Sequence, residues 1–210
     1  MGTTDRDSSC GTCGCSYIEC PGHFGHITLA QPVYHPGYVT HVRKVLRCIC
    51  CECGLLRLRD DGLRKAIQER SSARTRFRRV FEACKDIKQC VAADGIGCGR
   101  IQPKYGQKGL SIRRDEALAQ GAGDTRRNLK AEEAKAILSK ISDDDLRLMG
   151  LDPKESRPEW MIISVLAVAP PPVRPSVQAG DGARSEDDLT YAYHEIVRTN
   201  KELAAYMEGG

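Results

Sequence analysis

The sequence predicts an α+β fold with several amphipathic helices and short antiparallel strands, arranged irregularly and stapled by metal. Three observations predict it. The first is the stretch from Cys10 to His23, CGTCGCSYIECPGH. Cys10 and Cys13 stand two residues apart, and Cys20 and His23 repeat that spacing after a gap of six. Two such knuckles offer a Cys₃His tetrahedron suited to Zn²⁺. The second is composition: across 210 residues aromatics are only 5% and charged residues 29%, a thin supply of large core side chains. Metal cross-links would offset that shortage, because metal binding is coupled to folding. The third is periodicity, which alternates between helical runs and short β-branched segments.

Taken in order, Met1 to Ser9 is polar and reads as extended. Within the first knot, Cys15 breaks the two-residue spacing and is left out of the ligand set; His26 lacks the spacing that Cys20-Pro21-Gly22-His23 has. Ile27 to His35 carries β-branched residues and a proline, which predicts an edge strand or extended segment. Tyr38 to Cys48 reads as a helix with Val39, Val42, Val45 and Leu46 on one face. A second cysteine group follows, Cys48, Cys50, Cys51 and Cys53. Only Cys50 and Cys53 form a knuckle ending in glycine, Gly54. Its partners must come from further on, and Cys90 and Cys98 are available, which would make a Cys₄ site with a long insertion. Such an insertion is tolerable because loop-closure entropy grows slowly with length. Between the pairs, Arg74 to Lys88 is amphipathic: Phe77, Val80, Phe81, Cys84 and Ile87 recur at helical steps, and Arg74, Arg78 and Arg79 decorate the other side. Cys84 lies on the apolar stripe and reads as core.

Further on, Gln102 to Arg114 is expected to form a hairpin around Gly106 to Gly109, and Asp115 to Arg127 a loop. Ala131 to Ile141 is helical, and Ser142 with Asp145 three residues on starts another short helix. Met161 to Val168 is a continuous apolar run that predicts a fully buried strand, ended by Pro170-Pro171-Pro172 in polyproline geometry. Gln178 to Arg184 reads as a flexible loop. Ser185 is the expected cap of the last helix, whose stripe is Leu189, Tyr193, Ile196, Val197, Leu203 and Tyr206.

The net charge of +4 hides an asymmetry: His41 to Lys88 holds 14 Lys+Arg against 6 Asp+Glu, a balance of +8. That suggests a surface facing a polyanion, with a plain solvated helix face as the competing explanation. No basic-then-apolar signal segment opens the chain, and the longest apolar run, Met161 to Ala169, is too short to cross a bilayer. An odd count of 11 cysteines with metal-like spacing argues for a reducing, intracellular setting over a disulfide framework. No phosphate-binding glycine loop, nucleophile elbow or zincin helix is present. Asp143-Asp144-Asp145 could attract Mg²⁺, but at a helix start it complements the helix dipole. Both proposed zinc sites have four protein ligands, whereas a catalytic zinc needs an open position, so no catalytic residue is assigned.

MGTTDRDSSCGTC with ECPGHFGHI, then RPEWMIISVLAVAPPPVRPS, then EDDLTYAYHEIVRTN, closely resemble the N-terminal clamp region of the largest subunit of DNA-directed RNA polymerase. The segment APPPVRPS is most similar to the polymerase II form. The resemblance implies an irregular zinc-stabilised clamp module. One structural Zn²⁺ would be held by Cys10, Cys13, Cys20 and His23, and a second by Cys50, Cys53, Cys90 and Cys98. It implies a zinc-binding clamp head over 1–100 and a helical and strand part of the clamp core over 101–210, truncated before the lid loop. The chain would be a fragment of a nucleotidyltransferase subunit, with the catalytic Mg²⁺ and its aspartates in the missing part.

Expected partners are the DNA template, the RNA–DNA hybrid and other polymerase subunits, including the second-largest, with no membrane involved and a nuclear location. Arg43, Lys44, Arg47, Arg74, Arg78 and Arg79 are the candidates for a phosphate-facing surface. The alternative is a stand-alone zinc-binding adaptor for nucleic acid or protein.

Overall fold

The computed structural model describes residues 1–3, 7–58, 60–90, 97–116, 125–178 and 184–209. The chain divides into two compact units, Met1–Gln31 with Ser164–Gly210, and Pro32–Ile163. The division at residue 100 expected from the sequence falls inside the second of these.

The second unit holds the hydrophobic core. Its helices are α1 (Val39–Leu46), α2 (Asp61–Arg70), α3 (Ala73–Cys84), α4 (Ala131–Leu138) and α5 (Asp143–Leu148). Its sheet is an antiparallel meander of β2 (Lys104–Lys108), β3 (Ser111–Glu116) and β4 (Thr125–Leu129), in the order β2-β3-β4. The register pairs Lys108 with Ser111 across Gly109, whose φ of 58° suits glycine at a tight turn. The hairpin thus turns at the last of the predicted glycines, and the strands run on to Glu116. On this sheet Tyr105, Ile112 and Leu129 point into a core that also takes Val42, Val45 and Leu46 of α1, Val80 and Cys84 of α3, and Ala134, Ile137 and Leu138 of α4.

Two elements differ from expectation here. Helix α2 was not foreseen: of its ten residues only Ile67 is buried, so no periodic stripe announces it. Its start was nonetheless written in Asp60, whose carboxylate accepts from Leu63 N at 2.9 Å. Strand β4 lies where a loop was expected, because TRRNL has the composition of a loop. It forms as the third strand of a sheet whose register with β3 sets Ile112 opposite Leu129. The remainder of the expected loop, 117–124, lies outside the described residues.

Strands β1 (Gly25–Tyr34) and β5 (Ile162–Val168) form a two-stranded sheet. β5 is not the fully buried strand that its apolar run predicts. Ile162 and Val168 are buried at its ends while Val165 is 53% exposed, because a two-stranded ribbon leaves one face open. After Pro170, which has polyproline dihedrals, the chain makes a short 3₁₀ turn at Pro171–Val173.

In the first unit, a two-residue pairing of β6 (Val177–Gln178) with β7 (Arg184–Ser185) brackets residues 179–183, the greater part of the expected loop, which lie outside the described residues. Helix α6 (Asp188–Glu208) has no buried residue. It is held instead by polar contacts. Asn200 accepts from Ala30 N at 2.7 Å and donates to Thr28 O at 3.0 Å, pinning the helix to β1. Tyr193 Oη accepts from Ala169 N, and the Arg174 guanidinium lies over the Tyr193 ring.

The cap of α6 is Asp187, not Ser185: its carboxylate accepts from Leu189 N at 2.8 Å, and the first helical turn starts two residues later than Ser185 would place it. A carboxylate here also meets the positive end of the helix dipole. Asp187→Ala is expected to destabilise the first turn of α6 by about 1 kcal/mol. Hydrogen exchange at Thr190 and Tyr191, which bond back to Asp187 O, is the measurement. Unchanged protection there would assign the cap elsewhere.

Candidate functional site

The first cluster is built on two tight turns. Gly14 N donates to Cys10 O at 2.7 Å and Cys10 N to Cys15 O at 2.9 Å, which closes the loop around Cys13. Gly14 has a φ of 71°, in the left-handed region. The second knuckle begins with Cys20 N donating to Ser16 O, and His23 N is fixed by Met1 O at 3.0 Å. Between them Gly22 has a φ of 80°, and a Cβ there would stand 2.7 Å from Pro170 Cβ, so only glycine fits. The result brings one donor atom each from Cys10, Cys13, Cys20 and His23 within 4.8 Å of one another. Cys13 Sγ lies 3.7 Å from Cys20 Sγ, and Cys20 Sγ lies 3.6 Å from His23 Nε2.

The second cluster joins Cys50, Cys53, Cys90 and Cys98 under the same 4.8 Å limit. Its two halves are closed alike: Gly54 N donates to Cys50 O at 3.0 Å, and Gly99 N donates to Cys90 O at 2.8 Å. Gly54 and Gly99 have φ of 74° and 70°. A seven-residue insertion between Cys90 and Cys98 therefore ends in the same glycine turn as the two-residue knuckle, which spacing alone does not reveal. Cys50 Sγ lies 3.4 Å from Cys98 Sγ, and Cys53 Sγ lies 3.6 Å from Cys90 Sγ.

These separations carry chemical information. A tetrahedral ion with bonds of about 2.3 Å to sulfur has sulfur–sulfur edges of about 3.8 Å. A disulfide would bring two sulfurs to about 2.0 Å, and all eleven cysteines are free. The donor atoms therefore stand at the spacing of a coordination shell. Each cluster also holds one thiol poised to ionise. Backbone N–H groups of Cys13 and Thr12 lower the Cys10 pKa to about 6. Burial works against ionisation at Cys50, but N–H groups of Cys53 and Glu52 bring it down to about 7. In the same cluster burial pushes Cys90 up to about 12, so it would ionise near neutral pH only with a cation to offset that burial. Cys₃His and Cys₄ shells are closed, soft donor sets of structural type.

The remaining cysteines lie outside both clusters. Cys15 Sγ turns to Cys13 O, and Cys48 Sγ donates to Lys44 O at 3.3 Å. Cys84 is fully buried in the core. Cys51 is buried with Arg114 Nη2 at 3.9 Å from its sulfur. His26 is exposed on β1. Sequence reasoning missed Gln102, whose side chain accepts from Cys51 N at 2.9 Å and donates to Cys50 Sγ at 3.2 Å. It orients the Cys50 sulfur from outside the cluster, the kind of contact by which outer partners fix ligands in metal sites generally. Nothing in its spacing signals that role; only the fold brings the chain after Cys98 back across the first knuckle of this cluster.

The family model for RNA polymerase Rpb1, domain 1, matches residues 1–210. The chain belongs to this family. It is 41% identical over 217 residues to DNA-directed RNA polymerase II subunit RPB1 of Euplotoides octocarinatus, covering 99% of this chain and 45% of that protein. It is 35% identical over 212 residues to DNA-directed RNA polymerase subunit Rpo1N of Methanocaldococcus jannaschii, covering 100% of this chain and 15% of that protein. This Rpb1 domain 1 thus spans less than half the length of either curated relative. Among its described residues no helix is long and apolar enough to cross a membrane.

The acidic run of the same Rpb1 domain has a structural use. Asp143 pairs with Arg157 at 2.8 Å, Asp144 with Arg147 at 2.9 Å and Asp145 with Arg64 at 2.7 Å. Its three carboxylates are engaged by three separate arginines and do not converge on one point.

Proposed function

We propose that this chain is the N-terminal clamp region of the largest subunit of DNA-directed RNA polymerase, of the polymerase II type, and closes over template DNA and the RNA–DNA hybrid. The observation that carries this reading is the family match along the entire chain. Cys10, Cys13, Cys20 and His23 would hold one structural Zn²⁺, and Cys50, Cys53, Cys90 and Cys98 the other, their shells fitting the ion in donor type and spacing. Residues 1–100 would form the zinc-binding head and 101–210 the clamp core. The module rigidly presents basic side chains, and nucleotidyl transfer with its Mg²⁺ belongs to the rest of the subunit. Assembly with the second-largest subunit and a nuclear location go with that role.

The surface of α3 supports an electrostatic part. Arg74, Arg78 and Arg79 are exposed and take part in none of the ion pairs among the described residues. Arg76, by contrast, donates to the carbonyls of Ser71, Arg147 and Gln68. Lys44 and Arg47 lie over the Phe81 ring at 5.9 and 5.2 Å, which holds them beside the helix. Basic side chains that meet phosphates in this way position nucleic acid without reading sequence.

Reversing Arg74, Arg78 and Arg79 to Glu in the complete enzyme is the test. Elongation-complex lifetime should shorten, and its log–log salt dependence should flatten by about 0.9 for each phosphate that these side chains no longer neutralise. An unchanged salt slope would take α3 out of the nucleic-acid path.

A further inference from the structure

Outside the metal shells, the second unit carries a cleft of about 600 Å³ whose walls are unusually basic. Arg47, Arg57, Lys85, Lys88 and Lys104 line it, against one carboxylate, Asp115, whose Oδ1 lies 3.3 Å from Arg126 Nε but is buried without a hydrogen-bond partner. Among the described residues none of the five cations has a carboxylate within ion-pair distance.

Arg57 is the decisive group. It is only 8% exposed, and its Nη1 donates to Ile87 O, but Nε is buried without a partner. Tyr105, 6% exposed on the same lining, has a buried hydroxyl that is also unpartnered. A buried guanidinium with no carboxylate partner and a buried phenol with no acceptor are both costly to leave unmade. Together they mark where an oxyanion would be received.

We propose that this cleft is a docking site for an acidic peptide segment, which places a carboxylate against Arg57 and Tyr105. The choice of peptide over nucleic acid follows from depth and from the apolar part of the wall. A duplex backbone meets convex or shallow basic surfaces, whereas Arg57 is only 8% exposed within the wall of a cleft. Ile101 is 61% exposed beside the cations, with Ile87 and Pro103 next to it. That strip suits an aliphatic side chain neighbouring the acidic one and offers a phosphodiester nothing. Gln102 stiffens the wall, since its amide is tied to Cys50, Cys51 and Arg100. The inference is independent of the clamp reading, because it concerns a pocket of this chain and not its path along DNA.

The test uses the assembled polymerase carrying this chain and a fluorescein-labelled peptide of alternating Glu and Leu, followed by fluorescence anisotropy. Lys85→Glu, Lys88→Glu and Lys104→Glu alter exposed side chains and spare the fold. Each is expected to weaken peptide binding about ten-fold, as reversal of a close charge pair does. Ile101→Asp should weaken it as well, while Lys65→Glu on α2 should not. An alternating Gln and Leu peptide should fail to bind. Absence of Glu-Leu binding, or binding indifferent to the four cleft variants, would overturn the proposal. Displacement of the peptide by duplex DNA, with the same variants weakening DNA to the same extent, would overturn it in favour of a nucleic-acid site.

Discussion

Stripping metal from this chain is expected to unfold the segments around both clusters. The native chain should carry two Zn²⁺, and a strong chelator should abolish the protease resistance of the segments around both cysteine sets. The magnitude follows from comparing two free energies. A structural zinc contributes on the order of 10–16 kcal/mol in small finger peptides. The net stability of an ordinary domain is about 5–15 kcal/mol. The first cluster sits in a unit whose long helix α6 buries no residue, so apolar packing there has little to substitute for the ion. Cys20→Ser should reduce the content to one zinc by emptying the first shell, and Cys90→Ser by emptying the second. Cys15→Ser and Cys84→Ser should both keep two, since neither sulfur reaches a shell. Acid should release both ions as well, because protons compete for the thiolates. Metal analysis by mass spectrometry reads all of these. Two zincs retained in Cys20→Ser or in Cys90→Ser would refute the corresponding ligand set.

The spacing of Cys10, Cys13, Cys20 and His23 made the first donor cluster legible, because a knuckle is a local object and its geometry is encoded within four residues. The second was legible only by half. Cys50, Cys53 and Gly54 form a knuckle on their own, whereas Cys90 and Cys98 reach it through a turn at Gly99 that the insertion disguises. Helices with an apolar stripe, α1 and α3, could be read from their period. α2 could not, since one buried isoleucine makes no stripe, and its signal lay in the Asp60 cap. β5 was misjudged because hydrophobicity reports what a side chain prefers, not how many layers cover it. The basic cleft was invisible in principle: Arg47, Arg57, Lys88 and Lys104 are scattered over the chain and meet only through the fold.

The acidic run at the start of α5 leads to the second large effect. Asp145→Ala is expected to destabilise the metal-loaded chain by about 3 kcal/mol, whereas Asp144→Ala next to it should cost under about 0.5 kcal/mol. The difference is burial. Asp144 is 90% exposed at its side chain, and its pair with Arg147 is an ordinary surface contact. Asp145 is 4% exposed and joins three parts of the core. One carboxylate oxygen receives Arg64 of α2 at 2.7 Å; the other receives the backbone N–H of Leu56, just beyond the Cys50–Cys53 knuckle, at 3.3 Å. Its own N–H is held by the Ser142 hydroxyl at 3.2 Å, which caps α5. Truncation leaves a guanidinium and a buried amide without an acceptor. Removing one partner from a buried pair costs about 3–5 kcal/mol. The lower end applies because the Arg64 side chain is 25% exposed and water can reach it. Removing both charges, in Asp145→Leu with Arg64→Met, should recover part of the deficit, since desolvation of the pair is then avoided. Urea unfolding of the zinc-loaded chain is the measurement. If Asp145→Ala and Asp144→Ala prove equally mild, the carboxylate does not tie α2, α5 and the knuckle together, and the acidic run only complements the helix dipole.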